Sequence, residues 1–312
     1  ILARAEHPAG FPINPVRPYF DNSGVLWVQS EGRFHREVNG VFEPFPLPEP
    51  NLPRTNTTGY EPKNMRQVRN GDHWFATSDQ GAFRWDGEDF HQLTTADGLP
   101  TNNVSLHLED RQGNLWLSCF HWHLTSGEQR GALCMWDGET ITAFPDVPGL
   151  TENEVYSVLE DRDGNIWMCD EYRPALYKFD ATGLMLSRFV PVGSNSYGVD
   201  LGTEAFPAVY AQRRDNRGFE AIAAWNSDIY CFVQSPLDNP DVANDANSKA
   251  SRLVRIAKFN ALTNAVVAEY VYLLEGATSD KLGDACAFAP GKFLVIERDS
   301  STGSSLLKKI FE

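Results

Sequence analysis

The sequence predicts an all-β fold, a single β-propeller of six or seven four-stranded antiparallel blades, and three observations carry that expectation. One unit repeats along the chain, its strands alternate apolar and polar residues, and its turns are built on Asn-Gly, Asp-Gly or Gly-Asn. NNVSLHLEDRQGNLWLS (102–118) and NEVYSVLEDRDGNIWMC (153–169) place Trp116 and Trp167 51 residues apart, and Trp-Asp-Gly-Glu recurs at the same spacing, at 85–88 and 136–139. A single sheet of this kind cannot bury both faces, so several must stack.

The units follow in order. VRPYFDNSGVLWVQS surrounds Trp27 and NMRQVRNGDHWFATS surrounds Trp74, and these precede the two clearest copies. GAFRWDGEDFHQL and GALCMWDGETITAF supply third strands and their turns. Beyond residue 180 the period loosens: NRGFEAIAAWNSDIYCFVQS (216–235) and LGDACAFAPGKFLVIERD (282–299) keep strand, turn and strand, with Tyr230 and Leu294 in place of the Trp. SRLVRIAKFNALTNAVVAEYVYLL adds two strands around Asn-Ala-Leu-Thr-Asn. The chain therefore divides into regular repeats (1–180) and looser blades (181–312) with an inserted polar loop at 235–251, all in one domain of 1–312. A seventh unit would fall in 181–215, and ILARAEHP is expected to complete the last blade beside SLLKKIFE.

Composition bounds the partners. A formal charge of -15, from 42 acidic and 27 basic residues with no basic run, argues against nucleic acid and anionic membrane surfaces. It suits divalent cations, or simply solubility. No apolar stretch approaches the ~20 residues of a membrane span, and the first residues lack the apolar region of a signal peptide. The chain is thus expected either to be cytosolic or to begin after a processed leader. Five cysteines are not a disulfide framework, although Cys119 and Cys134, on neighbouring strands, could pair in an oxidising compartment.

Aligning the units on the second-strand aromatic yields a ring of first-strand positions at one mouth. Counting back thirteen residues from Trp116 and Trp167 gives Asn103 and Glu154; counting back ten from Trp27, Trp74, Tyr230 and Leu294 gives Arg17, Asn64, Glu220 and Asp284. All six are polar. Glu154, Glu220 and Asp284 make an oxygen-rich set suited to Ca²⁺ or Mg²⁺, which could polarise a phosphoryl or acyl oxygen. Arg17 would clamp a small anionic substrate, with Asn64 and Asn103 lining the same mouth. A water-filled polar channel with no ligand accounts for the same ring.

Two resemblances bear on DRDGNIWMCDEYRPALYKFD (161–180). The units up to residue 167 look like the propeller repeats in the periplasmic sensor region of two-component regulators. From about 160 to 312 the chain is similar to the phytase-like family, described as having the esterase-like activity of phytase. The segments are CDEYRPALYKFDATGLMLSRFVP, FPAVYAQRRDNRGFEAIA, YCFVQSPLDNP, SRLVRIAKFN, VAEYVYLL and GKFLVIERDSS. Arg173 and Ala221 depart from the glycines usual there. This resemblance implies a periplasmic or extracellular propeller performing metal-assisted phosphoester or ester hydrolysis. It also implies acids at Asp170 and Glu171, which the repeat itself does not demand, and Glu297 and Asp299 occupy the corresponding strand end of the last unit. Glu171, Glu220 and Arg17 are the expected catalytic groups, and Asp170 and Glu297 are expected at the ligand.

Other readings stay open. A non-catalytic propeller would bind a small ligand or a protein at the same mouth. A lyase using Mg²⁺ and a His fits less well, since no histidine falls on the ring. Cys119, His121 and His123 share one strand face and could ligate Zn²⁺ or copper, but no fourth ligand is evident.

Overall fold

Six β-sheets make up the described chain in the computed structural model, which covers residues 16–30, 32–52, 61–122, 129–144, 147, 155, 157–194, 202–214, 216–238, 249–275, 280–299 and 308–312. They fall into two compact units, 1–145 and 146–312.

The first unit carries three four-stranded antiparallel sheets, each a meander of consecutive strands. They are β1 Val16–Phe20, β2 Leu26–Ser30, β3 Arg33–Val38 and β4 Val41–Phe45; then β5 Pro62–Gln67, β6 His73–Thr77, β7 Ala82–Trp85 and β8 Phe90–Leu93; then β9 Val104–Glu109, β10 Leu115–Trp122, β11 Gln129–Trp136 and β12 Ile141–Phe144. The second unit carries β13 Ser157–Glu160, β14 Ile166–Asp170, β15 Ala175–Phe179, β16 Met185–Pro191 and β17 Thr203–Phe206; β18 Phe219–Trp225, β19 Asp228–Val233, β20 Leu253–Asn260 and β21 Ala265–Leu273; and β22 Lys281–Ala289, β23 Lys292–Arg298 and β24 Lys308–Phe311. The fold is thus all-β, with six sheets of propeller-blade type. Residues 203–206 do not begin a seventh: β17 runs parallel to β16 as a fifth strand of the fourth sheet. Residues 1–15 lie outside the described residues, so the expected pairing of ILARAEHP with the last blade is not described.

The first hairpins share one local device. Asp21 Oδ1 accepts the backbone N–H groups of Ser23 and Val25, at 3.0 and 2.9 Å, while its Oδ2 accepts the Trp27 indole N–H at 2.9 Å. Asp110 binds Asn114 and Trp116 in the same way, and Asp161 binds Asn165 and Trp167, with indole bonds of 2.8 and 2.7 Å. In each case the Asp lies six residues before the Trp, so one carboxylate closes the turn and anchors the blade's largest side chain. Trp74 is the exception. Val68 stands six residues before it, its indole N–H has no partner among the described residues, and its ring packs edge-on against Trp136 at 4.7 Å instead. Farther out, Asp86 and Asp137 cap the Trp-Asp-Gly-Glu turns, where Gly87 and Gly138 take φ of 108°, a conformation open to glycine.

The alternation of the strands then builds the cores. From β6, Phe75 packs with Trp27, Phe34 and Phe45, while Trp74 and Ala76 face Leu106, Leu117 and Cys119. In the second unit Trp167, Phe189, Phe206, Phe219, Phe232 and Phe259 lie in one apolar cluster. In the first unit Cys119 and Cys134 meet as free, buried thiols with sulfurs 3.9 Å apart, and the neighbouring Cys119 sulfur together with burial holds Cys134 protonated. No described helix is long and apolar enough to cross a membrane.

The Asp–Trp bond makes a pH prediction. Burial pushes the Asp21 carboxyl up, but the bonds from Ser23, Trp27 and Val25 outweigh it and hold the group at about 2. Its folded pKa lies below its unfolded one, so this stabilisation is full above about pH 4 and is lost as the pH falls through about 2. Asp21→Ala should lower the unfolding free energy near neutral pH by about 2 kcal/mol, and urea titrations should show the gap to wild type closing toward pH 2. A gap that does not change with pH would mean the ionised carboxylate does not carry the bond.

Candidate functional site

The chemistry-bearing side chains of the second unit converge where β14 ends and β18, β22 and β23 meet. β14 closes on Asp170, whose Oδ1 accepts the backbone N–H groups of Tyr172 and Arg173 at 2.8 and 3.1 Å. This folds Asp170–Arg173 into a turn, with the Tyr177 hydroxyl 3.4 Å from the other oxygen. Asp170 is buried, and burial pushes its carboxyl up to about 6 against the pull of those N–H groups and of Arg188 and Arg173. The turn presents Glu171.

Against the turn lies Gly218, whose N–H donates to the Glu171 carbonyl and whose own carbonyl accepts from Gln234 at 2.9 Å. A Cβ on residue 218 would stand 2.7 Å from the Asp170 carbonyl oxygen and 2.8 Å from that of Glu171, so only glycine allows this approach. The next strand, β18, carries Glu220. Gln234, just past the end of β19, donates through its side-chain amide both to Glu171 Oε1 and to Glu220 Oε2, the second at 2.5 Å. Glu220 Oε1 in turn takes Arg298 Nη2 at 2.8 Å. Burial raises the Glu220 carboxyl, opposed by Arg298 and Gln234. Lys281 stands close by. Burial and then Arg298 press its ammonium down, with a further push from Arg217 and relief from Asp280 and Glu220.

The expected residues are distributed as follows. Glu171 and Glu220 are brought together through Gln234. Asp284 is exposed on β22, where its Oδ1 accepts the next residue's N–H at 2.8 Å, and its charge is felt at the Cys169 thiol along with those of Glu220 and Asp170. Asp170 faces inward as the turn's organiser rather than toward a ligand. Glu297 is likewise committed to the fold: it accepts the Tyr272 hydroxyl at 2.7 Å and the Glu275 N–H at 3.0 Å. In the first unit Asn64 makes a two-point bond to the Leu106 backbone, at 2.7 and 3.1 Å, and Asn103 accepts Lys63 Nζ at 2.9 Å. Arg17 lies on β1, and its side chain, like Glu154 and the side chains of His121 and His123, lies outside the described residues.

A divalent cation is poorly served by these donors. Glu220 already spans Arg298 and Gln234, and among the described residues no group of three His, Cys, Asp or Glu is placed to hold a metal ion. The described acids therefore do not fit the Ca²⁺ or Mg²⁺ that the sequence suggested. Three residues that the sequence reading passed over matter more: Gln234, Arg298 and Lys281. The signal for Arg298 was strand parity, since residues 297 and 298 must face opposite ways and only one can meet Glu220.

The model of the phytase-like family, esterase-like activity of phytase, matches residues 153–312, half of the chain. An uncharacterized secreted protein of Arthroderma benhamiae is 27% identical over 170 residues, which covers 45% of this chain and 33% of that protein, so the match spans about a third of the relative's length. Among solved structures, a catalytically inactive virginiamycin B lyase from Staphylococcus aureus superposes with a TM-score of 0.56 at 11% identity, covering 97% of this chain and 85% of the lyase. The extracellular domain of the one-component system BT4673 from B. thetaiotaomicron gives 0.54 at 13%, covering 91% of this chain and 32% of that one. At these identities the two structures share the fold.

Gly218→Ala tests the close approach on which the site depends. It should destabilise the protein by about 1–3 kcal/mol and shift the backbone amide resonances of residues 170–173, as expected for a methyl forced against backbone. Wild-type stability with unmoved resonances would show that the turn has room to yield.

Proposed function

The chain belongs to the phytase-like family, and from that premise we propose that it is an exported hydrolase of phosphoesters or carboxylic esters, acting at the Glu171–Gln234–Glu220 cluster. A secreted relative supports the placement outside the cytoplasm. The observation that carries the reading is the meeting of two buried carboxylates with an adjoining group of cations, Arg298, Lys281 and Arg217. Lys281 is the telling member. Its ammonium is disfavoured by burial and by two guanidinium groups, and a bound phosphate or carboxylate would relieve that cost.

The roles follow from charge. Arg298, Lys281 and Arg217 hold the anionic end of the substrate. A carboxylate beside them takes a proton from water as its oxygen attacks phosphorus or the carbonyl carbon, and the proton passes on to the departing alcohol oxygen. Glu220, on the rigid strand β18, is the better base; Glu171, on the turn, is the better proton carrier. Substrate anion would draw Arg298 off Glu220 and free an oxygen for this work.

A binding propeller without turnover is the second reading. The closed state of Glu220, with one oxygen on Arg298 and the other on Gln234, favours it, as does the likeness to an extracellular sensor domain.

Glu220→Gln separates the two. On p-nitrophenyl phosphate and p-nitrophenyl acetate its turnover should fall by roughly 10²–10⁴-fold with the melting temperature kept, the loss typical of a missing general base. Hydrolysis unchanged in this variant would overturn the assignment of Glu220, and no hydrolysis by wild type combined with tight phosphate binding would favour the binding propeller.

A further inference from the structure

We propose that Gln234 is a positioning residue of this site: its amide holds the carboxylates of Glu171 and Glu220 apart and keeps both presented as acceptors. The inference rests on the reading that these two acids do the chemistry, and it adds the group that sets their geometry. Three observations carry it.

The first is the bridge itself. The Gln234 amide reaches two carboxylates that lie 49 residues apart in sequence (171 and 220), and all three side chains are buried. Two like charges with nothing between them would repel, and one would take up a proton. A primary amide has two N–H donors, one for each neighbour, so it fits between them without a proton of its own being shared.

The second observation fixes which way the amide points. Turned over, its carbonyl oxygen would face two carboxylate oxygens and would require both acids to be protonated. For Glu220 that arrangement would discharge the carboxylate whose other oxygen pairs with the guanidinium of Arg298 at 2.8 Å, and so would cost the ion pair. The ion pair on one side of Glu220 therefore dictates the amide on the other.

The third is the anchoring of Gln234. Its N–H donates to the Gly218 carbonyl at 2.9 Å and its carbonyl accepts from Leu282 at 2.8 Å. Its backbone is thus fixed to the segment that enters β18 and to β22, and its side chain reaches back to the turn after β14. The surrounding charged groups are Arg298 on β23, Lys281 on β22 with Arg217 and Asp280 beside it, and Asp170 and Asp284, which both act on the Cys169 thiol.

Two variants test the proposal. Gln234→Leu keeps the volume and removes both donors. Gln234→Glu keeps the shape; ionised, it adds a third buried carboxylate, whereas protonated it supplies one O–H donor. With p-nitrophenyl phosphate, kcat of Gln234→Leu should fall about tenfold or more while KM stays within about twofold, as expected when proton transfer loses its alignment but the cations still bind. Gln234→Glu should be equally impaired at neutral pH and recover as the pH falls, because its activity appears only when residue 234 is protonated. Gln234→Leu should show no such recovery. A kcat unchanged in both variants, or two pH profiles that match wild type, would overturn the proposal.

Melting temperature against pH tests the bridge independently of turnover. The deficit of Gln234→Glu relative to wild type should shrink as the pH is lowered, while that of Gln234→Leu should stay level. If wild type hydrolyses nothing, the functional reading fails but the melting comparison still decides the bridge: parallel curves would sink it.

Discussion

The fold depends on a buried hydrogen bond from a tryptophan indole to an aspartate six residues earlier. Asp21, Asp110 and Asp161 each bend a turn with one oxygen and hold the indole with the other, at 2.9, 2.8 and 2.7 Å. Because several donors share one carboxylate, the bond is among the stronger ones a protein makes, and it fixes the first hairpin's register. The Trp27 and Trp167 indoles then meet Phe75 and Phe259 of the neighbouring sheet, so a local bond becomes a packing contact. Where Val68 replaces the aspartate, Trp74 takes the same place by ring packing with Trp136 alone. The fifth sheet anchors differently, with Asp228 joined to Asn260 and Lys258 across β19 and β20.

This order has a chemical consequence in the second unit. Once β14, β18 and β22 are fixed by their blades, their ends approach closely enough that residue 218 must lack a side chain. Burying carboxylates there is costly, and the cost is offset because each carboxylate finds a donor: backbone N–H groups for Asp170, the Gln234 amide for Glu171 and Glu220, and Arg298 for Glu220. Burial raises the Asp170 and Glu220 carboxyls against the pull of their donors, and it lowers the Lys281 ammonium, which Arg298 presses down further.

The two units divide the work unequally. Sheets one to three keep the repeat nearly intact, and their polar first-strand residues serve structure: Asn64 binds the β9 backbone and Asn103 takes Lys63. In the second unit the fourth sheet keeps the Asp161–Trp167 bond, while in sheets five and six the second-strand Trp gives way to Tyr230 or Leu294, and the acids gather at the ends of all three. At the end of β14, where the preceding unit has Cys119 and Phe120, the chain carries the Asp-Glu-Tyr turn.

By itself the sequence determined the strands, the turns and the blade as a unit, because these follow from period-2 alternation, from glycine-containing turns and from a recurring second-strand Trp, all written within about twenty residues. It also pointed to Glu171 and Glu220, through the family motif and the repeat. It could not decide which neighbours those acids meet. Counting back from an aromatic assumes an unbroken ladder, yet the first strands carry bulges, between Phe219 and Ala221 and between Leu282 and Ala285, and each bulge changes which residue faces which side. Hence Asp284 is exposed, while Glu297 turns away to Tyr272 and the adjacent Arg298 reaches Glu220. Gln234 stands 63 residues from Glu171, and nothing local in YCFVQSPLDNP marks it as the link. Only the packing of three blades, which brings distant strand ends within hydrogen-bond reach, could make that assignment.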